Sequence, residues 1–425
     1  MQIAVDLGSP RDGRAAGAEW LRPVDDSPRS WHARKGVLTM DTVRLRESWN
    51  TVAGFGGQVP LFFYSTLFLT NPPIREMFPA GMSAQRDKLL SALGRVVAHV
   101  DELDAAVPFL QQLGRDHRKF AVTADHYPAV GQALLATLKH FLSENWTAEL
   151  AADWTAAYTL VADVMKAAAQ EAAQHTPPWW NAEVVRHERR TVDVAVLTVR
   201  TDRPLHYAAG QSVAVETQLR PRMWRYYSPT NVARDDGLLE LHVRMVDGGV
   251  VSTALVQGIQ LGDVLRVGAP VGGSLTVDHE RDILLIAGGT GLAPFKALLG
   301  QIANEQLRRE VHLFVGARCM RDLYDMPAIE AFERAIPGLR VIPVLSEDKE
   351  ANVPHGLVSE VALRYGPWPA QEVYVCGSPA MVAATRDTLR AAGMGDHRVH
   401  YEDFQGYGGP TSATGFLQGD KEYPV

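Results

Sequence analysis

Residues 283–294 read ILLIAGGTGLAP. The apolar run Ile283–Ala287 leads into Gly288, Gly289, Thr290 and Gly291, then into Leu292, Ala293 and Pro294. A strand buried on both faces needs such an unbroken run. Glycines let the following turn approach a ligand closely, and proline is tolerated in the first turn of a helix. Strand, glycine turn and helix in this order present helix N–H groups to a dinucleotide pyrophosphate. Two further apolar runs, Val311–Val315 and Val373–Val375, alternate with helical stretches. Residues 281–404 are therefore expected to form a parallel α/β nicotinamide-binding domain. Cys376, Gly377, Ser378, Pro379, Ala380 and Met381 follow the last of these runs, at the strand end where such sheets bind ligands.

Working upstream, the period changes to two. Val192, Val194 and Val196 alternate with polar or small residues, and Leu239, Leu241, Val243 and Met245 alternate with Glu240, His242 and Arg244. This predicts half-buried strands and an antiparallel β-barrel over 181–278. Within it, Arg225, Tyr226, Tyr227 and Ser228 form an R-x-Y-S element. An arginine fork neutralises a pyrophosphate, a tyrosine packs on an isoalloxazine, and a serine hydrogen-bonds a ring nitrogen. Alone, the tetrapeptide reads equally well as an ordinary strand. Gly248, Gly249, Val250, Val251 and Ser252 then introduce a short helix, with Ser252 expected as its cap and a phosphate at its N-terminus; a plain glycine turn is the alternative.

Residues 41–175 carry a helical period instead. Leu89, Leu90, Leu93, Val96, Val97 and Val100 recur at helix spacing, as do Leu150, Trp154, Tyr158, Val161 and Met165. Pro60, Pro72, Pro73, Pro108 and Pro128 are expected at the ends of helices. Thr176, Pro177 and Pro178 mark a linker. Residues 1–40 are polar and aperiodic, predicting a disordered extension, and the Gly-rich 405–425 predict a flexible tail. The whole is an α, then β, then α/β multidomain chain.

Composition narrows the function classes. A net charge of -7 argues against nucleic acid as a partner. No apolar run is long enough to span a bilayer, and the first residues lack a signal-peptide layout. Cys319 and Cys376 are the only cysteines, which fits a reducing cytoplasm.

Taken in order, these motifs and the closing Tyr401, Glu402, Asp403 and Phe404 resemble the ferredoxin-NADP-reductase superfamily over about 181–404. The resemblance implies that Arg225, Tyr227 and Ser228 hold FAD, with Gly249, Val250, Val251 and Ser252 at its phosphates. It implies that Gly288, Gly289, Thr290, Gly291, Leu292, Ala293 and Pro294, with Cys376, Gly377, Ser378, Pro379 and Met381, hold NADH or NADPH. Phe404 would cover the flavin and Glu402 would lie near hydride transfer. Arg318, Arg321, Asp322 and Glu330 give mixed charge after the second strand, and the reading leans to NADH.

In the helical part, His117 shares a helix face with Phe109, Leu110 and Leu113. By itself such a residue reads as a core histidine, and His99, His126 and His140 lie nearby. Phe63, Tyr64, Phe78, Gln85, Leu89, His117, Phe120 and Tyr127 together resemble the globin domain of flavohaemoglobins from about Leu45 to Val164. That resemblance implies His117 as the proximal ligand of haem b. It places Tyr64, Gln85 and Leu89 over the distal side, Phe78 against the haem and Tyr127 beside His117. Two positions depart from the family. Ala169 stands where a glutamate supports Tyr127, with Glu171 two positions on, and Asp116 stands where many relatives have lysine. The implied activity is nitric oxide dioxygenase: NAD(P)H electrons pass through FAD to haem, and nitric oxide and dioxygen become nitrate. A haem-linked peroxide or quinone reductase and a gas-binding or sensing globin are the rivals.

Overall fold

The computed structural model describes residues 40–101, 103–277, 281–349 and 351–402. The expectations for 1–39, for Phe404 and for 405–425 lie outside these residues.

The helical part comprises α1 (Thr42–Ala53), α2 (Gln58–Thr70), α3 (Ser83–Ala98), α4 (Leu103–His117), α5 (Tyr127–Leu142) and α6 (Ala148–His175). Leu45, Trp49 and Val52 form the buried stripe of α1 at the spacing a helix face requires. Thr147 caps α6 by accepting from the Leu150 amide at 3.2 Å. The Trp154 indole then donates to Ser48 at 3.0 Å, tying α6 to α1 inside the core. Truncating a buried anchor such as Leu110 to alanine costs roughly 2–5 kcal/mol. Where α4 meets α6, a Cβ on Gly114 would stand 2.3 Å from the Met165 carbonyl oxygen, so only glycine permits this contact. His117 follows on the same helix. Pro108 differs from expectation: it lies inside α4, on an exposed face, where loss of one backbone donor near the helix start is borne.

The barrel strands are β1 (Trp180–Arg189), β2 (Val194–Thr201), β3 (Ser212–Thr217), β4 (Arg225–Tyr227), β5 (Leu238–Arg244) and β6 (Val264–Val271). They run antiparallel in the order β4-β3-β6-β1-β2-β5. A bridge from Pro229 to Leu241 nearly closes the sheet. Val184, Leu197, Val213, Leu241 and Leu265 fill the interior. Two expectations are corrected. Val192 is 80% exposed, in the turn before β2, while Val194–Leu197 are buried throughout. A strand covered on both faces shows no alternation of burial. The polar face of β5 is also not a solvent face: His242 is only 3% exposed. The helix α7 (Val250–Thr253) continues as a π turn through Gly258.

The last part is a parallel sheet of β7 (Ile283–Gly288), β8 (Val311–Ala317), β9 (Leu339–Leu345), β10 (Glu372–Cys376) and β11 (Val399–Tyr401), in the order β11-β10-β7-β8-β9. Its helices are α8 (Leu292–Asn304), α9 (Met326–Ala335), α10 (Val358–Tyr365) and α11 (Pro379–Ala391). Ile283, Leu285 and Ala287 of β7 join the core with Phe295 and Ile329, whereas Leu284 and Ile286 join the opposite core with Val361 and Leu389. Both faces are therefore covered. The chain leaves β7 toward β8 and later returns to β10 on its other side, so the direction of winding reverses between β7 and β10. Open α/β sheets bind ligands beyond the carboxyl ends of such a strand pair.

Barrel and sheet meet through buried charge. Lys296 on α8 donates to Glu240 at 3.0 Å and to Asp325 at 2.8 Å. Thr230 donates to the same Glu240 oxygen at 2.6 Å, and His242 Nδ1 pairs with the Tyr324 hydroxyl at 2.8 Å. Burial would raise the Glu240 carboxyl, but His242, Lys296 and Thr230 together hold it well below the usual range.

Candidate functional site

A cavity of about 510 Å³ opens inside the helical part. Phe63 and Tyr64 from α2, Gln85 and Leu89 from α3, His117 from α4 and Tyr127 from α5 line it, with Phe78 from the turn between α2 and α3. His126 also lines it, but its Nδ1 accepts from the Thr123 amide at 2.9 Å. His99 and His140 do not belong to its lining.

The His117 imidazole is set up as a ligand. Its Nδ1 pairs with the Leu113 carbonyl at 2.7 Å, one turn back on α4, so that nitrogen carries the hydrogen. Burial lowers the pKa and keeps the ring neutral. Nε2 keeps its lone pair and makes no hydrogen bond among the described residues. A neutral imidazole whose other nitrogen is held by a carbonyl is the arrangement metal-ligating histidines adopt. Asp116 acts on the ring only through its charge, and among the described residues no carboxylate hydrogen-bonds it: Ala169 is half-buried, and Glu171 is exposed and forms no bond to Tyr127. The Tyr127 carbonyl instead accepts from the Tyr158 hydroxyl at 2.6 Å.

Tyr64 donates to the Gln85 main-chain carbonyl at 3.2 Å, a long contact for a hydroxyl donor. Burial pushes its pKa above the ordinary range, so it stays a donor. Phe78 meets the Tyr64 ring edge-on, with centroids 5.5 Å apart. Lys88, Lys119 and Arg222 add positive charge to the lining. An apolar chamber with one free imidazole and cations in its wall fits an iron porphyrin carrying carboxylates.

Around the barrel, Arg225 and Tyr227 sit on β4, with Ser228 just after it. Arg225 Nη1 donates to the Trp224 carbonyl at 2.8 Å, and the rest of its fork makes no hydrogen bond among the described residues. Ser228 pairs with Ser212 at 3.0 Å inside the barrel. Burial raises the Tyr227 phenol above its usual range. Gly249, not Ser252, is the N-cap of α7. Ser252 is a helical residue whose hydroxyl donates back to the Gly249 carbonyl at 2.9 Å and accepts from the Val246 amide at 3.3 Å, which fixes the glycine loop instead of capping the helix. Val250 and Val251 are the residues between them. A free arginine fork beside a helix start suits a dinucleotide phosphate.

At the reversal point of the sheet, Gly288–Pro294 leaves β7 and Cys376–Met381 leaves β10 as adjacent loops. A Cβ on Gly291 would stand 2.1 Å from the Cys376 carbonyl oxygen. Ser378 caps α11, accepting from the Met381 amide at 3.3 Å, and Pro379 opens that helix. The Met381 side chain packs against Gly288 and Gly377. Gly289, Thr290 and Gly291 form a single 3-10 turn ahead of Leu292, Ala293 and Pro294, so α8 begins directly over this loop.

Glu402, just after β11, joins the two reductase parts. It packs against Gly272 at the end of β6, and its charge is felt by Cys376. Burial pushes the carboxyl up to about 7, against the lowering pull of the Gly273 and Ser274 amides. Among the described residues, neither carboxyl oxygen has a well-formed hydrogen bond. Burial and Glu402 push the Cys376 thiol up to about 12.

Sequence reading missed the contacts between parts. Tyr226, the variable residue of R-x-Y-S, reaches the globin cavity, and Lys119, beyond His117, meets it. Strand alternation through Arg225, Tyr226 and Tyr227 was the available signal. The Glu240–Lys296–Asp325 cluster carried none, because its members lie far apart in the chain.

Three family descriptions match in the same order as the three folded parts: Globin over 61–165, Oxidoreductase FAD-binding domain over 181–275 and Oxidoreductase NAD-binding domain over 285–387. The flavohemoprotein of Bordetella parapertussis is 29% identical, covering 82% of this chain and 93% of its own length. The xylene/toluene monooxygenase electron transfer component XylA of Pseudomonas putida is 34% identical over 53% of this chain and 65% of its own length. The crystal structure of a flavohemoglobin from Malassezia yamatoensis, with bound FAD and heme, shares the fold at a TM-score of 0.71 and 18% identity, covering 86% of this chain and 99% of that one. With a globin, a flavin barrel and a nucleotide sheet joined in one polypeptide, the chain is similar to flavohemoproteins along most of its length and is an FAD- and haem-dependent oxidoreductase.

Proposed function

We propose that this protein is a nitric oxide dioxygenase that converts nitric oxide and dioxygen to nitrate in the cytoplasm, at the expense of NADH or NADPH. The observation that carries the reading is one cavity holding a neutral His117 with a free Nε2 and a protonated Tyr64, in the same chain as a complete reductase module. When bound, the dinucleotide supplies a hydride, FAD releases its electrons singly, and haem iron supplies the centre for gas chemistry.

The residues of the chain then divide the work. His117 would hold the iron, and Phe78 would pack on the porphyrin. Lys88 and Arg222 suit its carboxylates. Tyr64 would turn its hydroxyl from the Gln85 carbonyl toward a gas ligand, at the cost of one long hydrogen bond. Gln85 and Leu89 would limit the room around that ligand, and Tyr127 would flank His117. Arg225, Tyr227, Ser228 and Gly249–Ser252 would hold FAD. Gly288–Pro294 and Cys376–Met381 would hold the dinucleotide, with Glu402 and Phe404 at the flavin.

The His117 partner bears on the rival peroxide chemistry. A carbonyl makes imidazole a weaker electron donor than a carboxylate does, and strong donation favours cleavage of an O–O bond. The Leu113 carbonyl therefore favours holding dioxygen over splitting peroxide. Turnover of the loaded protein under air, with nitric oxide and with an alkyl hydroperoxide, tests this. Faster turnover of nitric oxide, with nitrate as product, is expected. Absence of NADH- or NADPH-dependent nitric oxide loss would sink the proposal.

A further inference from the structure

The three residues of β4 face two sites. Successive side chains of a strand point to opposite faces. Arg225 and Tyr227 therefore share one face, the face assigned above to the flavin, and Tyr226 takes the other. From there it lines the globin cavity together with His117. Its hydroxyl accepts from Lys119 Nζ at 2.6 Å and donates to Asp116 Oδ2 at 3.1 Å. Lys119 and Asp116 are themselves paired at 3.4 Å, and Lys119 is only 8% exposed. The ammonium lies 4.8 Å from the Tyr226 ring centroid and 5.3 Å from that of Phe120. Phe120 in turn meets Trp224 edge-on at 6.4 Å, and Arg118 donates to Thr176 in the linker at 2.9 Å. The chain flanking His117 is thus spent on contacts to the barrel and the linker.

We propose that Tyr226 is a positioning residue for electron passage: it sets the haem domain against the flavin barrel through Lys119 and Asp116. The inference rests on the reading that electrons cross from flavin to haem. A hydride from NADH carries two electrons and leaves NAD+. The electrons cross this junction singly, each reducing one ferric iron to ferrous, and the accompanying proton goes to solvent. Such passage depends on the two sites keeping a fixed separation, and Tyr226 reaches from the barrel into the cavity wall. The cavity contact at Tyr226 and the proposed flavin contact at Tyr227 are consecutive residues of β4, so displacement of one moves the other.

The test is Tyr226→Phe in the fully loaded protein, which keeps the ring over Lys119 and deletes the hydroxyl. Haem reduction by NADH is followed without oxygen under carbon monoxide, and ferricyanide reduction reports the flavin alone. Haem reduction is expected to slow roughly tenfold or more, as small misplacements of reacting groups do. Ferricyanide reduction and the haem and flavin contents stay unchanged. Asp116→Asn, made from the globin side, gives the same split, and the double variant is less than additive. Unchanged haem reduction in Tyr226→Phe overturns the proposal, as does a parallel loss of ferricyanide reduction and flavin. If the unaltered protein fails to reduce its haem, the reading beneath it fails first.

Discussion

The haem-sized cavity and the dinucleotide cradle are assembled from different materials. At the cavity, side chains converge from all six helices, from the turn at Phe78 and from Tyr226 of β4. At the cradle, the main chain itself forms the surface, where the turns after β7 and β10 press together until Gly291 touches the Cys376 carbonyl. A site made of side chains tolerates a shift in any one wall but depends on the single residue that would bond the metal. A site made of backbone has no such single bond, yet it fails when a Cβ is added where none fits.

Removing the ligand proposed for the cavity has the largest expected effect. His117→Leu should abolish the Soret band and all gas turnover while leaving flavin content and ferricyanide reduction intact. Retention of a full Soret band would mean that another residue holds the iron. In the cradle, Gly291→Val forces a side chain into the Cys376 carbonyl. Overpacking of this kind costs ~1–3 kcal/mol, and the Michaelis constant for NADH should rise by about tenfold or more. An unaltered Michaelis constant and melting temperature would show that the two loops are free to part.

The same contrast explains what could be read in advance. Ile283–Pro294 was legible because a buried strand, a glycine turn and a helix start are each written in local residue types. The barrel was legible from period two. Val194–Leu197 and the polar face of β5 were not, since burial on the second face comes from parts remote in sequence. Ser252 misled because serine beside glycine is a common cap, whereas here the hydroxyl reaches back to Gly249 and Val246. His117 was one histidine among several until family resemblance singled it out. Its geometry now separates it from His126 by the state of the ring nitrogens. The Tyr226 junction joins parts that no local pattern connects.

Glu402 sharpens the comparison with a smaller effect, at the place where barrel and sheet share a buried carboxyl. Its folded pKa of about 7 exceeds the usual 4.5. Below 4.5 the group is protonated in both folded and unfolded chains and costs nothing. As pH rises from 4.5 to 7, the unfolded chain loses this proton and the folded chain keeps it, so stability falls, and above 7 the loss is complete. Glu402→Gln should therefore match the parent near pH 4.5 and exceed it by about 1–3 kcal/mol above pH 7 in chemical unfolding. A constant difference at all pH values would contradict the burial of this carboxyl. The smallest effect belongs to the cavity wall. Tyr64→Phe deletes one donor, with a net hydrogen-bond contribution of about 0.5–1.5 kcal/mol, so dioxygen release should accelerate roughly two- to tenfold. Unchanged release would remove Tyr64 from contact with the gas.

The central claim is that cradle and cavity serve one electron path. Rapid mixing of the oxidised, fully loaded protein with NADH, without oxygen and under carbon monoxide, tests it directly, with flavin and haem absorbance followed together. The account predicts that flavin bleaching comes first and haem reduction follows at a rate independent of protein concentration. Flavin bleaching with the haem left ferric, or haem reduction that scales with protein concentration, would contradict it.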